Sequence, residues 1–394
     1  MKTTSPKAVY ALYYAAVACL VPFMTLYYQQ KGLNGTQIGV LAGIIPLITL
    51  GSSPFWSGIA DATRRHKPVL LLTIAGLWAA VLLLFFVDGF PAMLGAVVLY
   101  AVFVGPIVPL VDNAVMNLLG ERKAEYGRVR VWGAIGWGVA ATALGPVLER
   151  AGLAWSFYGF LAFMALCFVA ATTLPMSISA DTVRTAYRAG LGILLSQRRF
   201  LLLLFIALIY GVGMGILLSY QFLYLEELGA SRTLMAMTLT LSTLSEVPFW
   251  FYSGPLMARF GVNRMIAFAL AATIIRFFAL AVMGAPWLAL PISLLHGPSF
   301  AVMWAAGVAD ADAAAPAGLG ATAQGLFSGA LLGLGSALGG FIGGPAYEAI
   351  GFERLFAILG WLTVGALAVF VAARMTQRRR VARPSADKPS EETL

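Results

Sequence analysis

The sequence has few charged residues, two cysteines and two histidines among its 394 positions. Charged residues make up 11% of the chain, whereas about a quarter is usual in soluble domains, so the composition excludes a soluble globular enzyme. Cys19 and Cys167 lie in apolar segments, and their spacing indicates neither a disulfide framework nor a metal site. The sequence also shows no phosphate-binding loop and no Ser/His/Asp grouping in a polar segment, so we expect no enzyme, metal or cofactor.

The apolar residues, 60% of the chain, form blocks of about twenty, the length that crosses roughly 30 Å of hydrocarbon. This pattern predicts an all-α membrane protein with twelve transmembrane helices. The first block is too long for a cleavable signal peptide, and a second block follows at once. The spans are expected at 8–30, 36–58, 68–88, 91–117, 126–148, 154–174, 199–225, 232–256, 264–284, 287–309, 318–345 and 352–374.

The net charge of +9 would suit a nucleic-acid-binding protein, but the basic residues form small clusters between apolar blocks. We therefore expect a lipid bilayer as the partner and no nucleic acid. Loops on the cytoplasmic side carry an excess of Lys and Arg. Placing both termini in the cytoplasm puts most of the 26 Lys and Arg residues on that side, which predicts a multi-pass protein of the cell inner membrane.

The longest internal polar stretch divides the chain into two halves of six spans each. We expect an N-terminal six-helix bundle at 1–174, a cytoplasmic linker at 175–198, a C-terminal six-helix bundle at 199–374 and a disordered cytoplasmic tail at 375–394. The triplet Pro-Phe-Trp occurs at 54–56 and again at 248–250, at the end of the second span of each half. This recurrence indicates an internal repeat, as many secondary transporters have.

The loop after the second span carries a Gly-x-x-x-Asp pattern followed by two arginines. Together with the two six-span halves, this loop resembles the major facilitator superfamily. The resemblance implies two pseudo-symmetric bundles that rock around a central cavity, with the loop acting in gating. Its residues here are Gly58, Asp61, Arg64 and Arg65, and the weaker copy in the second half is Gly254, Arg259, Gly261 and Arg264.

The segment from Tyr126 to Trp137, YGRVRVWGAIGW, is similar to the start of the fifth helix in the lactose permease family, including its phenylpropionate permease branch. In that pattern the second arginine pairs with a carboxylate on the fourth helix to hold the substrate, and the later tryptophan stacks on it. The resemblance therefore implies that Arg130, Asp112 and Trp137 bind the substrate.

The second half continues the resemblance. Arg276 and His296 match substrate-binding positions of the family, while Glu246 and His296 match its proton-coupling positions. The chain departs from the pattern at Ser299, where lactose permease has its proton-binding carboxylate, and at Ser293, where it has a lysine. This departure puts a proton route copied from lactose permease in doubt.

The same residues are conspicuous without the resemblance, because a charge at mid-membrane costs about 2.5–3.5 kcal/mol and such residues tend to be paired and functional. Asp112 and Arg130 are expected at similar depths, either as a structural ion pair or in contact with substrate. Arg276, His296 and Glu246 are expected near one level, although a lone buried histidine is more often a core residue. We expect all five to face one cavity at the seam of the two bundles.

Other conspicuous residues suit structural roles. The glycines at every fourth position of the eleventh span, 325, 329 and 333 and then 335, 339 and 343, allow close helix packing. Trp250, Trp304 and Tyr220 are expected as core or interfacial aromatics. Asp310 and Asp312 are expected to cap or solvate the inner end of the tenth span.

Three functional hypotheses follow. The first is a monomeric secondary active transporter that moves a small polar or organic-acid solute by alternating access, with proton-coupled symport. The second keeps the fold but makes the protein an uncoupled facilitator or an exporter. The third is a non-transporting membrane sensor, which the absence of an appended soluble domain disfavours.

Overall fold

A computed structural model describes residues 4–176, 187–316 and 319–382. Within these residues the chain forms twelve long helices, which confirms the predicted all-α architecture. We number them α1 to α12 in chain order: Thr4–Gln30, Gly35–Thr63, His66–Phe86, Phe90–Leu119, Tyr126–Ala151, Ala154–Thr172, Arg198–Glu227, Arg232–Phe260, Val262–Ala281, Pro286–Ala314, Thr322–Ile350 and Phe352–Ala382.

Eleven of these described helices are long and apolar enough to cross a membrane. The twelfth, α8, is 29 residues long and therefore also long enough to span about 30 Å. Its first half is rich in Thr and Ser and contains Glu246, which makes it more polar than the others. A polar spanning helix is stable where its polar face contacts protein or water rather than lipid.

Two predicted boundaries need correction. Helix α12 continues to Ala382, so the first eight residues of the segment predicted as a disordered tail are helical, while residues 383–394 lie outside the described residues. The predicted linker 175–198 contains a further helix, Tyr187–Ser196, and residues 177–186 lie outside the described residues. Helix α12 passes 374 because no Gly or Pro occurs at that point. The helix Tyr187–Ser196 is separate from α7, since Gln197 between them has an extended backbone.

The helices pack as two related bundles. In the first half, α1 packs against α5 and α6, and α3 packs against α6; in the second half, α7 packs against α11 and α12, and α9 packs against α12. Between the halves, α2 packs against α11 and α5 packs against α8. The repeat relates helices that are six apart, so α2 corresponds to α8 and α5 to α11. Each of the two pairs therefore corresponds to the other, and the seam between the bundles is itself pseudo-symmetric.

Glycines make the α2–α11 contact close. A Cβ on Gly39 would lie 3.2 Å from the carbonyl oxygen of Gly340, and a Cβ on Gly43 would lie 2.6 Å from the ring of Phe341. On the other side of α11, Gly335 and Gly339 lie against the backbone of α7. The predicted packing role of the α11 glycines is confirmed for these positions, because larger side chains would hold the helices apart.

Direct contacts across the seam occur near one face of the membrane domain, whereas two glycines at the other face have open space around them. We call the end where α2 and α8 finish, beside Arg64, Arg65 and Arg259, the basic face, and the other end the opposite face. Near the opposite face, Thr142 of α5 and Thr240 of α8 are hydrogen-bonded at 2.8 Å. At the basic face, a Cβ on Gly58 or Gly254 would meet no atom within 4 Å.

Candidate functional site

The first cluster of polar side chains lies in the N-terminal bundle, on α1, α4 and α5. Oδ1 of Asp112 accepts hydrogen bonds from the hydroxyls of both Tyr10 and Tyr126, the latter at 2.9 Å. Nη2 of Arg130 donates to the hydroxyl of Tyr14. The Arg130 guanidinium also lies 4.5 Å from the ring centre of Tyr14 and 5.1 Å from that of Tyr10, within the range of cation–π attraction.

The expected direct pairing of Asp112 with Arg130 is wrong. None of the ion pairs among the described residues joins Asp112 to Arg130. Tyr10 contacts both instead: its hydroxyl donates to the carboxylate, and its ring faces the guanidinium. An arginine can be stabilised by ring faces as well as by a carboxylate. The sequence signal that could have revealed this is the i, i+4 spacing of Tyr10 and Tyr14, which places both on one side of α1.

The second cluster lies in the C-terminal bundle and joins α8, α9 and α10. Nη1 of Arg276 is 2.8 Å from Nδ1 of His296, and Nε2 of His296 is 3.0 Å from Oε1 of Glu246. The other carboxylate oxygen, Oε2, accepts from the indole nitrogen of Trp250 at 3.0 Å. The structure therefore brings together the three residues predicted in this half, and it adds Trp250, which the sequence interpretation placed among structural aromatics.

The contacts of His296 fix its tautomer. A guanidinium can only donate, so Nδ1 of His296 must accept from Arg276 and carries no proton. The ring proton is then on Nε2, where it is donated to the Glu246 carboxylate. Arg276 is 3% exposed, whereas the side chains of His296 and Glu246 are 18% and 21% exposed. The series of hydrogen bonds thus runs from the buried Arg276 guanidinium through His296 to the Glu246 carboxylate, which solvent can reach.

Helix α10 departs from regular α geometry directly after His296. Residues Gly297–Ala301 form a π-helical turn, and such turns occur frequently at functional sites. A Cβ on Gly297 would overlap the backbone of Ser245, so this glycine lets α10 approach α8 closely. The His296 ring stacks on Phe300 with centroids 5.2 Å apart and planes 11° apart. The turn and the stack together orient the imidazole toward Glu246.

The five predicted side chains form two clusters, one in each bundle, rather than a single group. Arg130 and Glu246 nevertheless lie on α5 and α8, which form one of the two helix pairs of the seam. Trp137 is half-buried on α5, five residues from Thr142 toward the basic face. On α8, Glu246 is six residues from Thr240 in the same direction. At 1.5 Å per residue both stand about 8–9 Å from the Thr142–Thr240 contact toward the basic face.

The predicted gating residues lie at the basic face. Gly58 and Asp61 belong to the last turns of α2, and Oδ1 of Asp61 is 2.8 Å from Nε2 of His66. Arg64 ends the helix in the left-handed conformation, with φ of 55°, and Arg65 precedes α3. This motif therefore forms a tight turn between α2 and α3 rather than a loop, because α2 continues to Thr63.

The expectation that Asp310 caps or solvates the end of α10 is wrong. Its side chain is 1% exposed, and its two oxygens accept from Arg199 of α7 and Arg374 of α12. A carboxylate buried to this extent needs charged partners, and the spacing along α10 could not reveal partners on two other helices. Among the described residues, no three His, Cys, Asp or Glu side chains are grouped as metal ligands.

The chain is similar to known membrane transporters over most of its length. Residues 3–358 match the model of the MFS_1 like family. A maltose permease from Geobacillus stearothermophilus is 28% identical over 379 residues, covering 95% of this chain and 94% of the permease. The probable 3-phenylpropionic acid transporter of Escherichia coli (strain K12) is 24% identical over 304 residues, covering 74% of this chain and 78% of that protein.

Two further comparisons concern nucleoside transporters. The putative nucleoside transporter YegT of Escherichia coli (strain K12) is 25% identical over 382 residues, covering 88% of this chain and 85% of that protein. The crystal structure of the nucleoside transporter NupG (D323A mutant) superimposes with a TM-score of 0.85 at 17% identity, covering 94% of this chain and 99% of the other, which supports the fold. The chain is a multi-pass membrane protein that belongs to the MFS_1 like family, within the major facilitator superfamily of transporters.

Proposed function

We propose that the protein is a secondary active transporter that imports a small polar solute by alternating access. The observation that carries this proposal is the position of the two polar clusters. Each bundle contains one cluster, and each cluster includes a residue on a seam helix. The two bundles are hydrogen-bonded near the opposite face, and Gly58 and Gly254 at the basic face have open space around them. A solute bound between the clusters would contact both bundles, so their rocking would expose it to each side in turn.

We propose a neutral ring-shaped polyhydroxyl solute, such as a sugar or a nucleoside. Each cluster contains one arginine and one carboxylate and is therefore close to neutral overall, which disfavours a solute with net charge. On the N-terminal side Trp137, Tyr14 and Tyr126 are half-buried aromatic side chains that could contact a ring-shaped solute, while the buried Tyr10 donates to Asp112. Asp112, Arg130, Trp137, Arg276 and His296 are the proposed substrate-binding residues. The maltose permease and the putative nucleoside transporter among the relatives agree with this class.

An organic acid is the second candidate. If Glu246 binds a proton, the C-terminal cluster retains the positive charge of Arg276 without a compensating carboxylate, and a solute carboxylate would then be attracted. The relative described as a probable 3-phenylpropionic acid transporter belongs to this class. A thermal-shift screen with maltose, uridine and 3-phenylpropionate on the purified protein distinguishes the two candidates, since only a bound solute raises the unfolding temperature.

We propose that transport is coupled to protons and that Glu246 binds the proton. His296 is held as the Nε2–H tautomer by Arg276, so protonating it would break that hydrogen bond, whereas Glu246 can accept a proton at an oxygen that solvent reaches. One pH unit supplies about 1.4 kcal/mol, and 100 mV of potential supplies about 2.3 kcal/mol per charge. A pH gradient of one unit alone could therefore concentrate a neutral solute about tenfold.

The orientation follows from the Lys/Arg distribution. We propose that the basic face is cytoplasmic, that both termini lie there and that the protein acts as a monomer in the inner membrane. Gly58, Asp61, Arg64 and Arg65 would then form a gate at the cytoplasmic face. On this assignment the contact between Thr142 and Thr240 lies near the external face, as we expect for the inward-facing state of the transport cycle.

The proposal is tested by uptake into proteoliposomes with an external pH one unit below the internal pH. We expect the solute to accumulate up to about tenfold in the wild type, and to reach only the external concentration in Glu246→Gln, which still shows counterflow. Glu353→Gln, a change at an exposed carboxylate of the opposite face, is the matched control and should accumulate solute as the wild type does.

Other outcomes separate the alternatives. Full accumulation by Glu246→Gln would show that another group carries the proton. Counterflow without pH-driven accumulation in the wild type would favour a facilitator or an exporter. The sensor hypothesis predicts neither counterflow nor accumulation for any solute that raises the unfolding temperature.

A further inference from the structure

Two carboxylates at the opposite face cross the seam and bind the first residues of a helix in the other bundle. Oε2 of Glu149, in the last turn of α5, accepts from the backbone N–H of Arg232 at 2.6 Å and of Thr233 at 3.4 Å, where α8 begins. Oε1 of Glu348, in the last turn of α11, accepts from the backbone N–H of Gly35, where α2 begins. Each bundle therefore provides one carboxylate and receives one.

The two contacts are built from the same sequence pattern. The acceptor helices end in Gly-Pro-x-x-Glu-x-x-Gly, at 145–152 in α5 and at 344–351 in α11. The final glycine of each copy has a positive φ, 87° at Gly152 and 79° at Gly351. The donor helices are preceded by Gly-x-Asn and Gly-x-Ser, at 32–34 and 229–231, and both of these glycines also have positive φ, 79° and 77°. The repeat thus preserves both partners of the contact.

Each donor helix also has an N-terminal cap from its own chain segment. This cap does not use the first backbone N–H of the helix, which is therefore free to bind a carboxylate of the other bundle. The side chain of Asn34 accepts from the N–H of Gln37, and the side chain of Ser231 accepts from the N–H of Leu234. These caps satisfy the third amide of each helix. The first amides have no partner within their own helix, and a carboxylate there also interacts favourably with the helix dipole. Glu348 and Glu149 supply that partner across the seam.

Close approach of the helices makes the contacts feasible. A Cβ on Gly145 would lie 2.7 Å from Cβ of Ala236 and 3.0 Å from Cα of Thr233, so only glycine allows α5 to lie this near the start of α8. Glu149 and Glu348 are both exposed to solvent. Water can therefore replace either partner when the seam separates, so the contacts are reversible rather than permanent.

We propose that Glu149 and Glu348 are a symmetric pair of latches that hold the opposite face of the transporter closed, and that their strength sets the ratio of the two orientations of the site. This inference rests on the proposed alternating access. Opening the opposite face separates both carboxylates from their amides, while the Asn34 and Ser231 caps remain with their own helices. The conformation open to the basic face is therefore favoured by two contacts that the other conformation lacks.

The expected size of the effect follows from capping interactions. Replacing a capping acceptor by alanine typically shifts an equilibrium by about fivefold. The two latches share no residue, so their effects should multiply to about 25-fold in the double variant. Glutamine keeps an oxygen that can accept but loses the charge, so Gln variants should shift the ratio less than Ala variants.

Pulsed electron spin resonance on the full-length protein in nanodiscs measures this ratio. Both native cysteines are buried and are replaced by alanine, and labelled cysteines are then introduced in pairs at exposed or loop positions, Ala92 with Gly284 on the opposite face and Ala62 with Ala258 on the basic face. We expect Glu149→Ala and Glu348→Ala each to enlarge the long-distance population of the first pair and the short-distance population of the second. The exposed Glu353→Ala is the matched control and should change neither.

The reciprocal change separates a latch from a merely structural residue, because general destabilisation would broaden both distance distributions without moving them in opposite directions. The Gln variants keep the side-chain size and serve if an Ala variant fails to fold. Unchanged distances in both single variants and in the double variant would overturn the latch proposal, even in a protein that transports solute normally. Reciprocal shifts in a protein whose uptake is not proton-coupled would support the latches while the coupling proposal fails.

Discussion

His296 is expected to position its neighbours rather than to carry the proton, and glutamine should replace it. In the tautomer that its contacts require, His296 accepts from Arg276 at one nitrogen and donates to Glu246 at the other. A glutamine amide can also do both at once, with its oxygen toward Arg276 and its nitrogen toward Glu246. Alanine can do neither. The pair His296→Gln and His296→Ala therefore separates positioning from proton transfer.

The magnitude follows from the burial of Arg276, which is 3% exposed. Hydrogen bonds that involve a charged group contribute about 1.5–3 kcal/mol. Losing this bond in His296→Ala should disorder the guanidinium at the proposed binding site and raise KM by roughly 10- to 150-fold. In His296→Gln the bond is retained in another form, so KM should rise by less than about tenfold and pH-driven accumulation should persist.

The assay is uptake into proteoliposomes of the solute that gives the strongest counterflow, with and without a pH gradient. The expected result is uphill accumulation by the wild type and His296→Gln, and strongly weakened uptake by His296→Ala that recovers at high solute concentration. The reasoning is refuted if His296→Gln retains counterflow but no longer accumulates solute, since the imidazole itself would then carry the proton.

Two further predictions concern the buried charge in the C-terminal bundle and the seam. Asp310→Asn should lower the unfolding free energy by about 3–5 kcal/mol, because two arginines lose a buried carboxylate; thermal unfolding should show a much smaller change for the exposed Asp312→Asn, and equal shifts would contradict this account. Gly340→Val should keep the opposite face open, since its Cβ would lie 2.5 Å from the backbone nitrogen of Gly43. Faster maleimide labelling of a Thr240→Cys reporter would show this, and unchanged labelling would argue against the seam geometry.

Much of the fold could be predicted from the sequence because the bilayer constrains it strongly. Apolar blocks of spanning length determine the number of helices, and the Pro-Phe-Trp repeat indicates two related halves. The boundaries were less predictable, because apolarity decreases before the helix ends. Helix α2 was expected to end at 58 and continues to Thr63, since the Gly58-to-Thr63 segment lies outside the apolar block but has no residue that stops a helix.

The site was predicted in part. Glu246, Arg276 and His296 could be named because charged or titratable side chains are rare within apolar spans, and the structure joins them in one chain of contacts. The role of the tyrosines around Asp112 and Arg130 was missed, because the i, i+4 spacing of Tyr10 and Tyr14 places them on one side of α1 but does not show which helices that side contacts. The crossing carboxylate contacts were also missed, since they depend on which helix ends meet at the seam.

The central claim is that the solute and a proton share the pathway between the two clusters. Its most direct test is the proton flux that accompanies solute entry into proteoliposomes, recorded with an external pH electrode while the membrane potential is clamped. The account predicts alkalinisation of the medium on adding solute, in proportion to the solute taken up, and its loss in Glu246→Gln. Solute entry by the wild type without any change in external pH would contradict it.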